Sequence, residues 1–316
     1  MNLIEGKAPR VVFGETVAEL GKTDPRIVVL DGDLGSSTRA DIFENAHPDR
    51  FFQMGIGEQN LLGAAAGMAT VGFIPFVSTF ACFAVARALD SIRVLIAPAR
   101  LPVKIVGGYS GLLAGMTGKT HLIFEDLAIM RAMARMAVVV PADEAETRQA
   151  VRAIVDHDGP VYLRLTRQAA PNLFDDSYSF SLGRVVVVRP GADATVFATG
   201  TQTVRAFQAA EALAAEGIDL QVVHVPTLKP LDADAIIDAA RATGFVITSE
   251  EGSIVGGLGG AVAEVLGERF PLPLRRHGLA DTFGESGPDQ ALLEKYGLSV
   301  TRTAEAFRAF VRARGQ

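Results

Sequence analysis

Short, unbroken apolar runs alternate with helical stretches through the first half of this 316-residue chain, and that alternation narrows the possible folds more than any other feature. Residues 27–30, 51–54, 73–76, 103–106, 137–140 and 161–165 read as strands, and 59–70, 80–96, 122–133 and 143–155 as helices lying between several of them. Strands that are apolar at every position are buried on both faces, the mark of a mainly parallel sheet covered by helices. Asp143, with Glu146 three residues later, heads one helical run as a capping box. The pattern breaks over 168–182, where Pro171, Asn172, Asp175, Asp176 and alternating serines read as a linker. Strands then resume at 184–188, 194–198, 220–225, 245–248 and 272–276, with helices at 204–216 and 261–267. Two α/β domains are expected, 1–180 and 181–316, and a chain of this length can give each a full core. Periodicity leaves strand order open.

Composition removes several classes of function. A net charge of −6 provides no basic footprint, so nucleic acid is not expected as a partner. Cys82 is the only cysteine, which excludes a disulfide framework and a cysteine-based metal site. The first ten residues lack the apolar core of a signal peptide, and no stretch is long enough to span a bilayer; a cytoplasmic, soluble protein is expected.

Chemistry is expected around Gly55-Ile56-Gly57-Glu58-Gln59-Asn60, where a short strand ends in a glycine turn and a helix of small residues begins. Glu58 falls in or near the first turn of that helix, at the carboxyl end of a strand, where open α/β sheets bind their ligands. Taken alone, it reads equally well as a residue favouring the positive end of a helix dipole. Gly63 and Gly67, four apart, share a face that admits another backbone. A helix so poor in charge is expected to be buried on most sides, including against another subunit.

This stretch resembles the catalytic-glutamate segment of thiamine-diphosphate enzymes of the transketolase family, most nearly the second chain of two-chain transketolases. Asp31-Gly32-Asp33-Leu34, Ser78-Thr79-Phe80, Thr120-His121 and Asp281-Thr282-Phe283-Gly284-Glu285-Ser286-Gly287 recur in order along nearly the whole chain. The resemblance implies a parallel-sheet pyrimidine-binding domain followed by a smaller α/β transketolase C-terminal domain. It implies that Glu58 bonds the aminopyrimidine ring of thiamine diphosphate, which requires a dry site, here supplied by Met54, Ile56, Leu61 and Leu62. Phe80 and Phe83, three apart on one helical face, would enclose that ring; from spacing alone they read as core. Asp33 matches an acidic residue near the cofactor and the subunit interface. His121, after the glycine-rich loop 107–120, matches the family's substrate-facing histidine, while Arg10, Ser37 and Arg167 fall where sugar phosphate is held. Arg164 and Arg167 alternate past a strand end and are expected to point in different directions. His47, His157, His224 and His277 read as structural.

Departures from the family pattern also carry information. Thr117 stands where an acidic residue reads a sugar hydroxyl, Tyr109 where a second histidine lies, and Ala86 where a third aromatic closes the wall; Lys119 adds a positive charge. Transfer of a two-carbon unit is implied, but the particular ketose phosphate and aldose are not. No Gly-Asp-Gly run with a following asparagine is present to hold diphosphate through a metal. The resemblance therefore implies half an enzyme, with no metal ligand of its own. A separate N-terminal subunit would hold the diphosphate and Mg (or Ca or Mn), in an α2β2 assembly acting on sugar phosphates. The alternative from the same two-domain order is the β subunit of a 2-oxo acid dehydrogenase.

Overall fold

The computed structural model describes residues 3–175 and 177–315. Its strands are β1 (Ile27–Asp31), β2 (Phe51–Gln53), β3 (Ile74–Phe80), β4 (Lys104–Gly108), β5 (Ala137–Val139), β6 (Val161–Arg164), β7 (Val186–Arg189), β8 (Ala194–Ala198), β9 (Leu220–His224), β10 (Thr227–Lys229), β11 (Val246–Ser253) and β12 (Leu274–Leu279). Seven of them form a sheet in the order β10-β5-β6-β4-β3-β1-β2, and five form a second in the order β12-β11-β8-β9-β7. Pairing is parallel except for β10 on β5 and β7 on β9. The all-apolar runs explain the first sheet's centre: every residue of β1, β3, β4 and β6 is buried.

The first half supplies helices α1 (Pro9–Gly21), α2 (Gly35–Thr38), α3 (Asp41–Ala46), α4 (Glu58–Thr70), α5 (Leu89–Ser91), α6 (Asp126–Ala132) and α7 (Glu144–Val155). The second supplies α8 (Gln202–Ala214), α9 (Ala233–Thr243), α10 (Leu258–Arg269), α11 (Asp289–Lys295) and α12 (Val300–Arg312). Asp143 caps α7 by accepting from the Glu146 amide at 2.9 Å. The reciprocal bond lands one residue earlier than in a standard capping box, because Glu146 accepts from the Ala142 amide at 2.7 Å.

Three features depart from the sequence-based expectation. The single helix expected over 80–96 is instead the end of β3, two π-helical turns (Phe83–Arg87 and Ile92–Ile96) and the short α5 between them. The ladder accounts for the first residue: Phe80 pairs with Gly108 of β4, as Thr79 does with Gly107, which keeps it in the sheet. Helix α1 was not expected: it has Pro9 at its first position, which favours a helix start, but no side-chain cap beside it. Strand β10 comes from beyond the linker and closes the edge of the first sheet. One buried apolar cluster accordingly runs from Leu61, Val77 and Phe80 through Tyr162 to Val225, Leu258 and Leu292, joining the two halves. Asp176, read above as part of the linker, lies outside the described residues.

Candidate active site

Gly55, at φ +67°, turns the chain out of β2, and α4 begins at Glu58 with Gly57 as a cap that offers no side chain. Glu58 is only 2% exposed, with Leu61 and Leu62 fully buried behind it. Ile56, expected to help dry the site, is 76% exposed; the glycine turn swings it outward. The carboxylate has a partner that the sequence reasoning missed. Arg87 Nη1 lies 3.4 and 3.3 Å from its two oxygens, and the arginine side chain is 55% exposed. A buried carboxylate left without a donor is costly, and Arg87 supplies one from the solvent side. The only local hint was a cation one residue beyond Ala86.

Arg87 also lies over the Phe83 ring, 5.3 Å from its centroid, and so links the carboxylate to a group of rings. Phe80 and Phe83 stack at 5.8 Å although Phe80 ends a strand, which corrects the shared helical face expected for them. Tyr109 stacks on Phe80 at 4.0 Å, and His121 meets Phe83 and Phe80 edge-on at 5.3 and 6.1 Å. Tyr109 is placed there by a left-handed backbone, φ +56°, just after β4. His121 is half-buried, and its Nδ1 lies 2.8 Å from Thr120 Oγ1. Thr117 donates its hydroxyl to the Ala114 carbonyl at 2.6 Å within its own turn.

From Tyr109 the line continues to the arginines. Arg167 Nε donates to the Tyr109 hydroxyl at 3.2 Å. Arg10 Nε donates to the Arg167 carbonyl at 3.0 Å and its Nη1 to the Ser37 carbonyl at 2.7 Å. Of the three residues matched to a phosphate site by resemblance, Arg10 and Arg167 thus lie over the Tyr109 ring, at 5.9 and 5.6 Å, and Ser37 joins them through its carbonyl on Arg10. Burial pulls the Arg10 pKa below its ordinary value, and the neighbouring Arg167 adds to that depression. Arg164 points the other way, as alternation anticipates: it is buried against Asp126 at 2.7 Å.

In the turn after β1, Asp33 is exposed at φ +64° and donates its amide to Gln53 Oε1 at 3.0 Å. The buried acid of that turn is Asp31, whose Oδ2 accepts from the Leu34 and Gly35 amides and from Gln53 Nε2. Its Oδ1 has no partner, and burial raises its pKa. His224, set aside as structural, is buried in a pair with Glu146 at 2.7 Å.

A cleft of about 430 Å³ opens beside these rings, lined among others by Phe83, Ala86, Arg87, Lys119, Thr120 and Phe283. Cys82, Leu122 and Ile123 add apolar wall and the exposed Glu125 a carboxylate; buried Glu58 does not line the cleft and is joined to it only through Arg87. Among the described residues, no group of three or more His, Cys, Asp and Glu is arranged to hold a metal ion. None of their helices is long and apolar enough to cross a membrane.

Comparison with known proteins agrees with the fold and the order of the two domains. Residues 5–172 match the transketolase pyrimidine-binding domain, and residues 183–302 match the transketolase C-terminal domain. The chain belongs to the transketolase family, whose members depend on thiamine diphosphate. Within that family it resembles the second subunits of split enzymes. It is 42% identical to a 6-deoxy-6-sulfo-D-fructose transketolase subunit of Clostridium sp. (strain MSTE9), over 94% of this chain and 92% of that one. A putative transketolase C-terminal section of Methanocaldococcus jannaschii is also 42% identical, over 92% of each chain. A split-gene transketolase solved as an inactive β4 tetramer superposes with a TM-score of 0.91 at 47% identity, covering 98% of this chain and all of that one.

Proposed function

We propose that this chain is the second subunit of a thiamine-diphosphate-dependent transketolase that moves a two-carbon ketol unit from a ketose phosphate to an aldose. The carrying observation is one continuous line of contacts, from buried Glu58 through Arg87, Phe83, Phe80 and Tyr109 to Arg167, Arg10 and Ser37. When bound, thiamine diphosphate supplies a nucleophilic carbon that carries the two-carbon unit. Glu58, freed from Arg87, would hold the cofactor through its ring nitrogen and would keep a proton on its own carboxyl oxygen. Phe80 and Phe83 bind the ring face and exclude water. Tyr109 fills the space beyond Phe80, and Asp33 lies on the rim of the same sheet end. His121 presents Nε2 to the substrate oxygens, because Thr120 occupies Nδ1, and moves a proton to or from them. Arg10 and Arg167 hold the substrate phosphate with Ser37, and Thr117 lies on the loop nearest the sugar hydroxyls.

The diphosphate and its divalent cation (Mg, Ca or Mn) belong in this proposal to a separate N-terminal subunit, in an α2β2 assembly in the cytoplasm. The domain boundary is placed near residue 180. Relatives named for 6-deoxy-6-sulfo-D-fructose and apulose-4-phosphate widen the donors worth testing. The test is a turnover assay of the reconstituted pair with these donors, common ketose phosphates and 2-oxo acids. Two-carbon transfer from a ketose is the expected outcome; turnover of a 2-oxo acid alone would transfer the assignment to a dehydrogenase β subunit.

A further inference from the structure

The loop between β4 and α6, which presents Tyr109, Thr117 and His121, is tied to the second half of the chain by two carboxylates. The amides of Leu112 and Leu113 both donate to Oε1 of Glu251 on β11, at 2.8 and 3.2 Å. Glu251 is 2% exposed, and its other oxygen pairs with Arg205 of α8. Further along the loop, the Gly115 amide donates to Oδ1 of Asp289, the first residue of α11, at 2.8 Å. The Gly287 amide returns to the Gly115 carbonyl at 3.1 Å, so the loop before α11 and the turn before His121 are fastened side by side. The second oxygen of Asp289 accepts from Gln168 Nε2 at 2.5 Å, and Gln168 directly follows Arg167.

We propose that Asp289 is a positioning residue for donor binding: its two oxygens fix the spacing between the loop that presents His121 and the strand end that presents Arg167. This inference rests on the transketolase reading above. A carboxylate suits the task because it offers two acceptor edges, and each edge here takes an N–H from a different segment. Gly115 is buried, so loss of the acceptor leaves its amide without a partner and frees the turn to move. Small displacements of groups that orient substrate are strongly felt in binding and rate.

The test uses the reconstituted pair. Asp289→Ala is expected to raise the KM for the ketose phosphate about tenfold and to lower kcat, with cofactor affinity within about threefold of wild type. Asp289→Asn should restore the wild-type KM, since its oxygen still accepts from Gly115 and the Gln168 amide can turn over to accept from the new donor. Gln168→Ala should give a smaller rise, and the double variant Gln168→Ala/Asp289→Ala should be no worse than Asp289→Ala alone. An unchanged KM in Asp289→Ala, or an equal rise in Asp289→Asn, overturns the proposal. Should Asp289→Ala melt before it can be assayed, Gln168→Ala carries the test, and an unchanged KM there overturns it too. A wild-type pair that uses no ketose phosphate refutes the transketolase reading instead, whereas an active pair indifferent to Asp289→Ala refutes only this inference.

Discussion

Lys104 opens β4 fully buried, with Nζ donating to the carbonyls of His157 and Gly159 at 2.8 and 3.1 Å. Burial lowers its pKa to about 7, against the opposing pull of Asp158 and Asp156. In the unfolded chain a lysine keeps its proton to about pH 10.4. Between these values the unfolded state binds the extra proton, so stability rises with pH, and the full penalty for burying the lysine is present below about pH 7. Denaturant unfolding of wild type and Lys104→Met at pH 7 and 9 isolates the effect. The difference should move in favour of wild type by about 2 kcal/mol across that interval; a difference independent of pH would mean that the lysine stays charged in the fold. Single residues also mark the limits of sequence reasoning. Glu58 was legible from its turn and helix, but Arg87 was not, because a partner 29 residues away follows only from the path of the chain between them. Two aspartates stand two apart at the end of β1, and Asp31 is buried as the strand's last residue while Asp33, in the turn, takes a left-handed backbone and is exposed.

Elements whose burial is complete were legible as apolar runs, and β8 falls on its expected residues, 194–198. The segment 80–96 was legible as helical, but not Phe80's place in the strand or the two π turns. Its apolar pattern fits a helix, while the ladder that holds Phe80 in the sheet depends on Gly107 and Gly108, more than twenty residues later. Those glycines are small for a reason that lies in the neighbouring strand. A Cβ on Gly107 would come within 2.5–2.8 Å of the Tyr162 ring and hydroxyl, and that hydroxyl donates to Asp126 at 2.7 Å. Tyr162 is fully buried and cannot retreat. Gly107→Ala is therefore expected to destabilise the fold by about 1–3 kcal/mol through overpacking. Gly108→Ala, whose Cβ meets nothing nearer than 3.4 Å, should cost less. Equal stability of Gly107→Ala and wild type in a denaturant titration would show that the Tyr162–Asp126 contact yields easily.

At the scale of the whole molecule, the two halves are joined by apolar packing and by buried polar bridges: β10 on the first sheet, Glu146 with His224, and Arg164 with the Glu251 carbonyl. Such a joint holds the candidate site rigid, and none of these bridges was legible, because each pairs residues from opposite sides of the linker. The two-domain order was legible, since the strand–helix alternation stops and restarts around it. Along α4, the face expected to admit another backbone is open at Gly67, which has nothing within 4 Å of a Cβ position, whereas a Cβ on Gly63 would meet Leu95, itself exposed, at 3.8 Å. An exposed apolar surface of this kind marks a place where another chain can pack; the proposed function adds that Glu58 acts on a cofactor held at its other end by a companion subunit. Deuterium exchange at C2 of thiamine diphosphate, followed by NMR in the reconstituted pair, tests that claim most directly. Glu58→Ala is predicted to slow the exchange by about 10²–10⁴-fold relative to wild type, with the assembly intact by light scattering; exchange at the wild-type rate would contradict the account.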